Sequence, residues 1–478
     1  MDFWSIAMND RIGSVERPLT SVEPMKLARG FVEAKGESLW VAGGEVWTWE
    51  DGRWVVRGRE ETVLEVLRWL EDAWVAKGEK LVRVGPTPFV GEQVVTCLEA
   101  VARAPWRRTP VHLGGRGVGR TVLFEDVAVD VGGGVVTEVP RDREFVDRMV
   151  LPFTWREACG GKCERWEQAV REWSDGDERW GELLRRWGGY LLCGHREYRK
   201  WMLMKGRTAG GKGTIAHVLR ALMGRQSFVT VEMETLAGEF GLGGVPGARV
   251  VNISEVSTLE GRGGGREQVA RFCKQVVGGD PLSVNEKYQK VVKDVEHGLA
   301  LMMSSNQVPV LPNEGQGLSA KMLVLPITRG FDKGGAEYGL KERLVREELP
   351  GIAAWFVEGA RRLEEAVSSG GEMWPRPARA DDVELQYRIM NNPVDAFLET
   401  HFRADEKGFV AGRVVKRLWA KWAKEVGAKR VPENQVLLMI EKETGWVVYR
   451  DRLRSGGDEP GSRGLRGLGL LKEFREDL

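Results

Sequence analysis

Long apolar runs are missing from this 478-residue chain. No stretch of 18 or more apolar residues occurs, so nothing reads as a membrane-spanning helix. The opening MDFWSIAMNDRIGSVERP lacks a basic segment followed by an apolar one, and no signal peptide is expected. Cysteine is scarce and odd in number, 5 in all, which argues against a disulfide framework and for reduced thiols in a cytoplasm. Net charge is nearly absent too: 71 Lys and Arg against 70 Asp and Glu leave +1, so any nucleic-acid surface must come from local clustering. What is present is ordinary for a folded chain, with 29% charged and 42% hydrophobic residues. The length predicts about two to four domains. The 19 tryptophans are scattered and read as core anchors.

Residues 1–122 read as a small mixed α/β unit. SLWVAGGEVWTWEDGRWVV (Ser38–Val56) has alternating apolar runs around Gly43-Gly44 and Asp51-Gly52, which predicts a meander of short strands. EETVLEVLRWLEDAW follows, with Val63, Leu67, Leu70 and Trp74 on one helical face. The GGRGVG run (Gly114–Gly119) suggests a phosphate loop, but no long apolar helix follows it, so it reads as a plain turn. Residues 123–198 read as a helical domain, carried by KCERWEQAVREW and DERWGELLRRWGGYLLCG with glycine stops. Cys159, Cys163, Cys193 and His195 invite a zinc reading, but their spacing is unusual and ordinary free cysteines are the expectation.

From 199 to 367 apolar strands alternate with helices, the pattern of a parallel sheet. SSGGEMWPRPARADD marks a linker, placed at 368–390. Residues 391–478 hold three helical segments and then strand-like WVVYRDRLR and RGLRGLGLL, the order of a winged-helix module. From Ala411 to Lys472 there are 14 Lys or Arg against 7 Asp or Glu. That local excess suits a phosphate backbone, with a solvated helical surface as the alternative.

The most informative stretch is MLMKGRTAGGKGTIAHVLRALMG (Met202–Gly224): apolar strand, glycine-rich turn, lysine, apolar helix. This is the layout of G-x-x-x-x-G-K-[ST], in which turn N–H groups and the helix N-terminus converge on phosphates. Gly206, Gly210 and Gly211 let the main chain approach closely, and Lys212 would reach the β- and γ-phosphates. The hydroxyl that normally follows the lysine and binds Mg²⁺ is replaced by Gly213. Thr214, one position late, is the candidate to hold the metal, with a metal held through water as the alternative. The same GKGT variant occurs in nucleoside monophosphate kinases, so the turn alone points to a phosphotransferase as readily as to a motor.

Later segments narrow that choice. GARVVNISEV (Gly247–Val256) is an apolar strand ending in an acid, and Glu255 lands where ligands sit in such sheets. A carboxylate there can orient a water for attack on a phosphate and help to hold a metal. Ser254 stands where an aspartate would normally precede it. GLALMMSSNQVPVLP (Gly298–Pro312) is a second buried strand, ending at Asn306, an amide able to sense a γ-phosphate. GLSAKMLVLPITRGF (Gly317–Phe331) places Lys321 before a last apolar strand and Arg329 after it.

Taken in order, the GKGT loop, VVNISEV, FCKQVVGGDPLSVNEKYQK, MMSSNQVP and AKMLVLPIT resemble the superfamily 3 helicases of phages, plasmids and large DNA viruses, the primase–helicase type. The similarity extends from about Leu123 to the C-terminus and is densest across Met202–Phe331. It implies an α/β fold with an AAA+-like P-loop ATPase core, a helical domain before it and a winged helix after it. It implies an ATP- and Mg²⁺-dependent homo-hexameric ring moving 3′ to 5′ on single-stranded and forked DNA, in the cytoplasm of a bacterial host. Carried over by position, Lys212 and Thr214 bind phosphate and metal, Glu255 is the catalytic carboxylate and Asn306 the sensor. A pore hairpin would fall in SVNEKYQKVVKDVEHG, with Lys287 and Lys290 gripping DNA. Lys321 occupies the arginine-finger position, where a lysine lacks the bidentate fork; Arg329, Arg262 or Arg266 are the substitutes. The N-terminal unit is short for a primase domain, so a separate primase or host replication protein is expected to supply primers. An origin-binding initiator or loader with weak ATPase activity is the second reading.

Overall fold

The computed structural model describes residues 12–42, 44–105, 111–113, 119–194, 197–238, 245, 247–254, 265–284, 292–295, 297–311, 317–331, 337–427, 433–444, 448–450 and 463–471. The amino-terminal unit holds the expected meander, three antiparallel strands at Leu39–Ala42, Glu45–Glu50 and Arg53–Arg57. Helices Pro24–Lys35, Arg59–Glu71 and Pro88–Val101 pack beside it through Leu27, Phe31, Val66, Leu70, Val94 and Leu98. The middle helix ends at Glu71, and Trp74, expected on its face, instead opens the hairpin Trp74–Lys77 and Lys80–Arg83. The GGRGVG run lies outside the described residues up to Val118, and the next element is a strand, Thr121–Leu123. That strand, with Val127–Asp130 and Thr137–Pro140, forms a three-stranded antiparallel sheet. The unit expected to be helical from residue 123 therefore begins as β-structure. Its short strands lie between polar turns, and the helical periodicity that dominates the segment starts only later.

Two helices then lead to the central sheet, α1 (Glu164–Ser174) and α2 (Glu178–Cys193). Asp177 caps α2 by accepting from the N–H of Arg179 and Trp180. α2 ends at the left-handed Gly194, the expected glycine stop, and Gly188 and Gly189 lie inside it. Their role is contact: a methyl group at Gly189 would lie 2.3 Å from the backbone nitrogen of Ala360, so the pair lets a second helix approach closely.

The central sheet consists of β1 (Trp201–Gly206), α3 (Lys212–Met223), β2 (Phe228–Glu232), β3 (Val250–Ser254), α4 (Gly265–Gly278), β4 (Ala300–Ser305) and β5 (Met322–Ile327) with their intervening helices. Its five strands are all parallel, in the order β2-β3-β4-β1-β5. Three helices follow, α5 (Leu340–Glu347), α6 (Leu349–Ser369) and α7 (Ala380–Asn391). Alternate strand residues point to opposite faces. Met202, Met204, Met302 and Leu325 pack toward α1, α2, α3 and α6, while Trp201, Leu203, Met303 and Val324 pack toward α4 and α7. A sheet covered on both faces reads as continuous apolar strands, as these do.

The linker is shorter than 368–390. α6 runs to Ser369, and α7 begins at Ala380 and packs Ala380, Val383 and Tyr387 against the sheet. The glycine and proline signals mark the turn between the helices, and the apolar periodicity of ADDVELQYRIMN decides the rest. The carboxy-terminal unit runs helix Pro393–His401, strand Phe402–Ala411, helices Gly412–Val426 and Glu433–Thr444, then strands Val448–Arg450 and Arg463–Leu470. The strand after the first helix is absent from the sequence reading. Its Ala-Asp-Glu-Lys-Gly centre masks the alternation, and the register shifts there, between Ala404 and Phe409.

Candidate functional site

β1 is flanked by β4 on one side and β5 on the other, although β2 follows it in the chain. The chain thus crosses to the far edge after β1, and the carboxyl ends of β1, β3 and β4 border a crevice at the crossover, the place where open α/β sheets bind ligands. A cavity of about 990 Å³ lies there, at the upper end of the roughly 300–1,000 Å³ typical of ligand sites.

The glycine-rich turn forms one wall. Gly206 ends β1, and the Arg207 N–H donates to the Ile327 carbonyl at 3.2 Å. The continuation of β5 presses on the turn: a methyl group at Gly210 would sit 2.2 Å from Cγ2 of Ile327 and 2.6 Å from the Arg329 carbonyl oxygen. Gly211, at φ 94°, adopts a conformation that favours glycine and starts α3, and its α-carbon faces the Trp173 ring. The first N–H groups of α3 are left to an outside acceptor, and the helix dipole favours an anion.

Lys212 is held at the centre. Its Nζ donates to the carbonyls of Gly206 at 2.8 Å and Arg207 at 2.6 Å, and to Asn306 Oδ1 at 2.9 Å. Burial lowers its pKa. Asn306, just beyond β4, also donates from Nδ2 to Thr208 Oγ1 at 3.3 Å. The structure thus joins residues 94 positions apart, Lys212 and Asn306, at the mouth of one cavity. Thr214 lines the same cavity, and a methyl group built at Gly213 would meet nothing within 4 Å. Ser254, at the end of β3, and Ser304 and Ser305, on β4, complete the sheet edge, with Ser304 Oγ donating to buried Asn252 at 3.1 Å.

Other expected residues fall elsewhere. Glu255, Lys287, Lys290, Arg262 and His195 lie outside the described residues. The strands bounding the expected hairpin, Leu282–Val284 and Val292–Val295, do pair antiparallel. Arg329 places its carbonyl against the turn, but its guanidinium points to Asp175 at 3.7 Å and lies over the Phe331 ring. Lys321 precedes Met322, which pairs with Trp201 at the opposite end of the sheet. Six β residues separate it from the cavity edge, ~20 Å along the strand. Within one chain Lys321 therefore does not reach the cavity. Of the cysteines in the zinc reading, Cys193 is buried, Cys159 exposed and Cys163 half-buried, and His195 lies outside the described residues. Burial pushes the Cys163 thiol up to about 11.

A further wall of the cavity comes from residues that no sequence motif marks. Arg165, Glu172 and Trp173 reach it from α1, and Glu337 and Tyr338 from the segment before α5. None sits in a motif; only the spacing of Arg165 and Glu172, two helical turns apart, hinted that they share a face. The assembled site offers helix N–H groups, a lysine and an amide on one side and ion-paired polar groups on the other. That arrangement suits an extended ligand with a polyanionic end.

Residues 204–319 match the model of a family of unknown function, DUF5906. No curated protein matches the chain. Solved structures of the C-terminal region of NrS-1 are similar to it at 10% identity. One, an A-form apo structure, has a TM-score of 0.47 and covers 93% of this chain and 100% of its own. Another, of residues 305–718, has a TM-score of 0.46 and covers 94% and 100%.

Proposed function

We propose that this chain is an ATP-driven DNA helicase of a phage, plasmid or related element, built on an AAA+-like P-loop core and working as a homo-oligomeric ring. The observation that carries the reading is the junction of Lys212 with Asn306 over the glycine turn, at the carboxyl edge of an all-parallel sheet. On this reading the α3 N–H groups and Lys212 take the β- and γ-phosphates of ATP, and Asn306 is released from Lys212 to meet the γ-phosphate. Ser254 ends β3 at the cavity, and Glu255, next in the sequence, is the proposed carboxylate that orients an attacking water. The oxygen donors Thr214, Ser254 and Ser305 around the crevice fit a hard cation, and Thr214 and Glu255 would hold Mg²⁺. When bound, the ion neutralises phosphate charge. Lys321, at the far edge of the sheet, fits a finger role only toward the site of a neighbouring copy. The antiparallel strands around Lys287 and Lys290, and the basic carboxy-terminal unit, are the proposed DNA contacts.

The test is ATP hydrolysis with and without single-stranded DNA, run beside unwinding of a forked duplex. Wild type should hydrolyse ATP faster with DNA and open the fork, and Lys212→Ala should lose both activities by about a hundredfold or more. DNA binding without unwinding would favour an origin-binding initiator or loader, the second reading, which the serine at 254 supports. Phosphate transfer to a nucleoside monophosphate would replace both readings with a phosphotransferase.

A further inference from the structure

The wall of the cavity formed by α1 has polar chemistry that phosphate binding does not use. Arg165 lines it with a side chain only 18% exposed. Its Nε donates to Glu337 at 2.9 Å, and its Nη2 pairs with Glu337 at 2.8 Å and Glu172 at 3.4 Å. Its Nη1 is buried and has no hydrogen-bond partner among the described residues. Nη1 is closed off from water although other atoms of Arg165 line the cavity, so an acceptor brought in by a ligand is what a shift of the guanidinium would gain.

The backbone that carries the guanidinium is held in place. Glu348 accepts with its two carboxylate oxygens from the backbone N–H groups of Arg165 at 3.0 Å and Trp166 at 2.9 Å, which anchors the start of α1. Glu337 is also paired with Arg343 at 2.6 Å. At the other end of α1, Trp173 packs its ring on the glycine turn at Gly211. Eight residues of α-helix rise ~12 Å, so Arg165 stands a nucleotide's length from the phosphate end.

Charge selects which part of the ligand reaches it. Two carboxylates beside one guanidinium repel a phosphate, whereas they tolerate the neutral sugar and base. Tyr338, next to Glu337, adds an exposed aromatic ring to the same wall. We infer that Arg165 positions the nucleoside end of a bound nucleoside triphosphate, its guanidinium shifting to donate to an acceptor on the sugar or the base. This rests on the nucleotide reading of the cavity, and it makes α1, which lies outside the sheet domain, part of the binding site.

Calorimetric titration of the full chain with ATP and with inorganic triphosphate, both with Mg²⁺, tests it. Arg165→Ala should weaken ATP roughly tenfold or more, the loss of one charged hydrogen bond, and leave triphosphate unchanged. Lys212→Ala should weaken both ligands. Arg165→Lys keeps a cation between Glu172 and Glu337 but loses the planar fork, and should also weaken ATP alone. If Arg165→Ala fails to fold by circular dichroism, the lysine variant decides. Wild-type ATP affinity in a folded Arg165 variant, or equal loss of ATP and triphosphate, would overturn the inference while leaving the nucleotide reading intact. Wild type binding neither ligand would instead overturn the nucleotide reading.

Discussion

Lys212 spends its three donors on two carbonyls and Asn306, in a half-buried place that disfavours its charge. Its pKa in the free protein is therefore depressed. Phosphate favours the ammonium form, so binding at alkaline pH must take up a proton. ATP affinity is expected to hold steady below the depressed pKa and to fall as pH rises through it. Affinity measured in steps toward pH 10 checks this, and Lys212→Arg, which stays charged, should flatten the profile. The glycines beside it differ in role. Gly213 lies in the first turn of α3 with open space around it, so Gly213→Ala should raise stability by about 0.5–1 kcal/mol through helix propensity. Gly210→Ala must push against Ile327 and the backbone at Arg329 and should lower the melting temperature. Thermal melts of the two variants moving the same way would contradict this division.

At the scale of elements, α2 and α6 form the tightest helix pair beside the sheet. Arg361 and Arg362 donate to Glu358 at 2.7 to 2.9 Å, and Arg362 also reaches Glu182 on α2 at 2.9 Å. Hydrogen bonds from Arg361 first, and from Arg362, hold the Glu358 carboxyl at about 2, against an ordinary value of 4.5. A carboxyl depressed in the folded state contributes stability above its unfolded pKa and loses it as pH falls toward the folded one. The melting temperature is therefore expected to drop between about pH 4.5 and pH 2, and Glu358→Gln should shrink that drop. A variant with the same acid dependence as wild type would show that the pair does not couple to folding. Two elements are not legible in the sequence. α7 was hidden by the glycine and proline signals before it, and the strand at Phe402–Ala411 by a polar bulge.

At the scale of the molecule, the upstream helices and the sheet are one body. A single apolar cluster runs from Val122 through Trp166, Trp173 and Trp187 to the sheet and on to Phe356 and Leu363. Buried Arg249, just before β3, pairs with buried Asp147 and donates to the Leu192 carbonyl. The sheet domain divided at residue 199 is thus expected not to fold alone. A fragment of residues 199–391 exposes the face that α1 and α2 cover and should lack a cooperative melt, whereas 119–391 should show one. A cooperative transition in the shorter fragment, followed by circular dichroism, would restore the boundary.

The sequence by itself determined the elements that local chemistry dictates. Apolar strands buried on both faces, the glycine turn before a lysine-started helix and the meander at the amino terminus are each written in adjacent residues. Their spacing also put Lys212, Thr214 and Asn306 on one list, because strand ends in a parallel sheet share an edge. Only the tertiary structure decided which edge each residue occupies. It set β1 between β4 and β5, which brings Asn306 onto Lys212 and carries Lys321 ~20 Å away. It also brought Arg165, Glu172 and Trp173 to the cavity from a helix whose periodicity speaks only of burial. Strand order and helix docking are set by contacts between distant residues, and no local pattern encodes them.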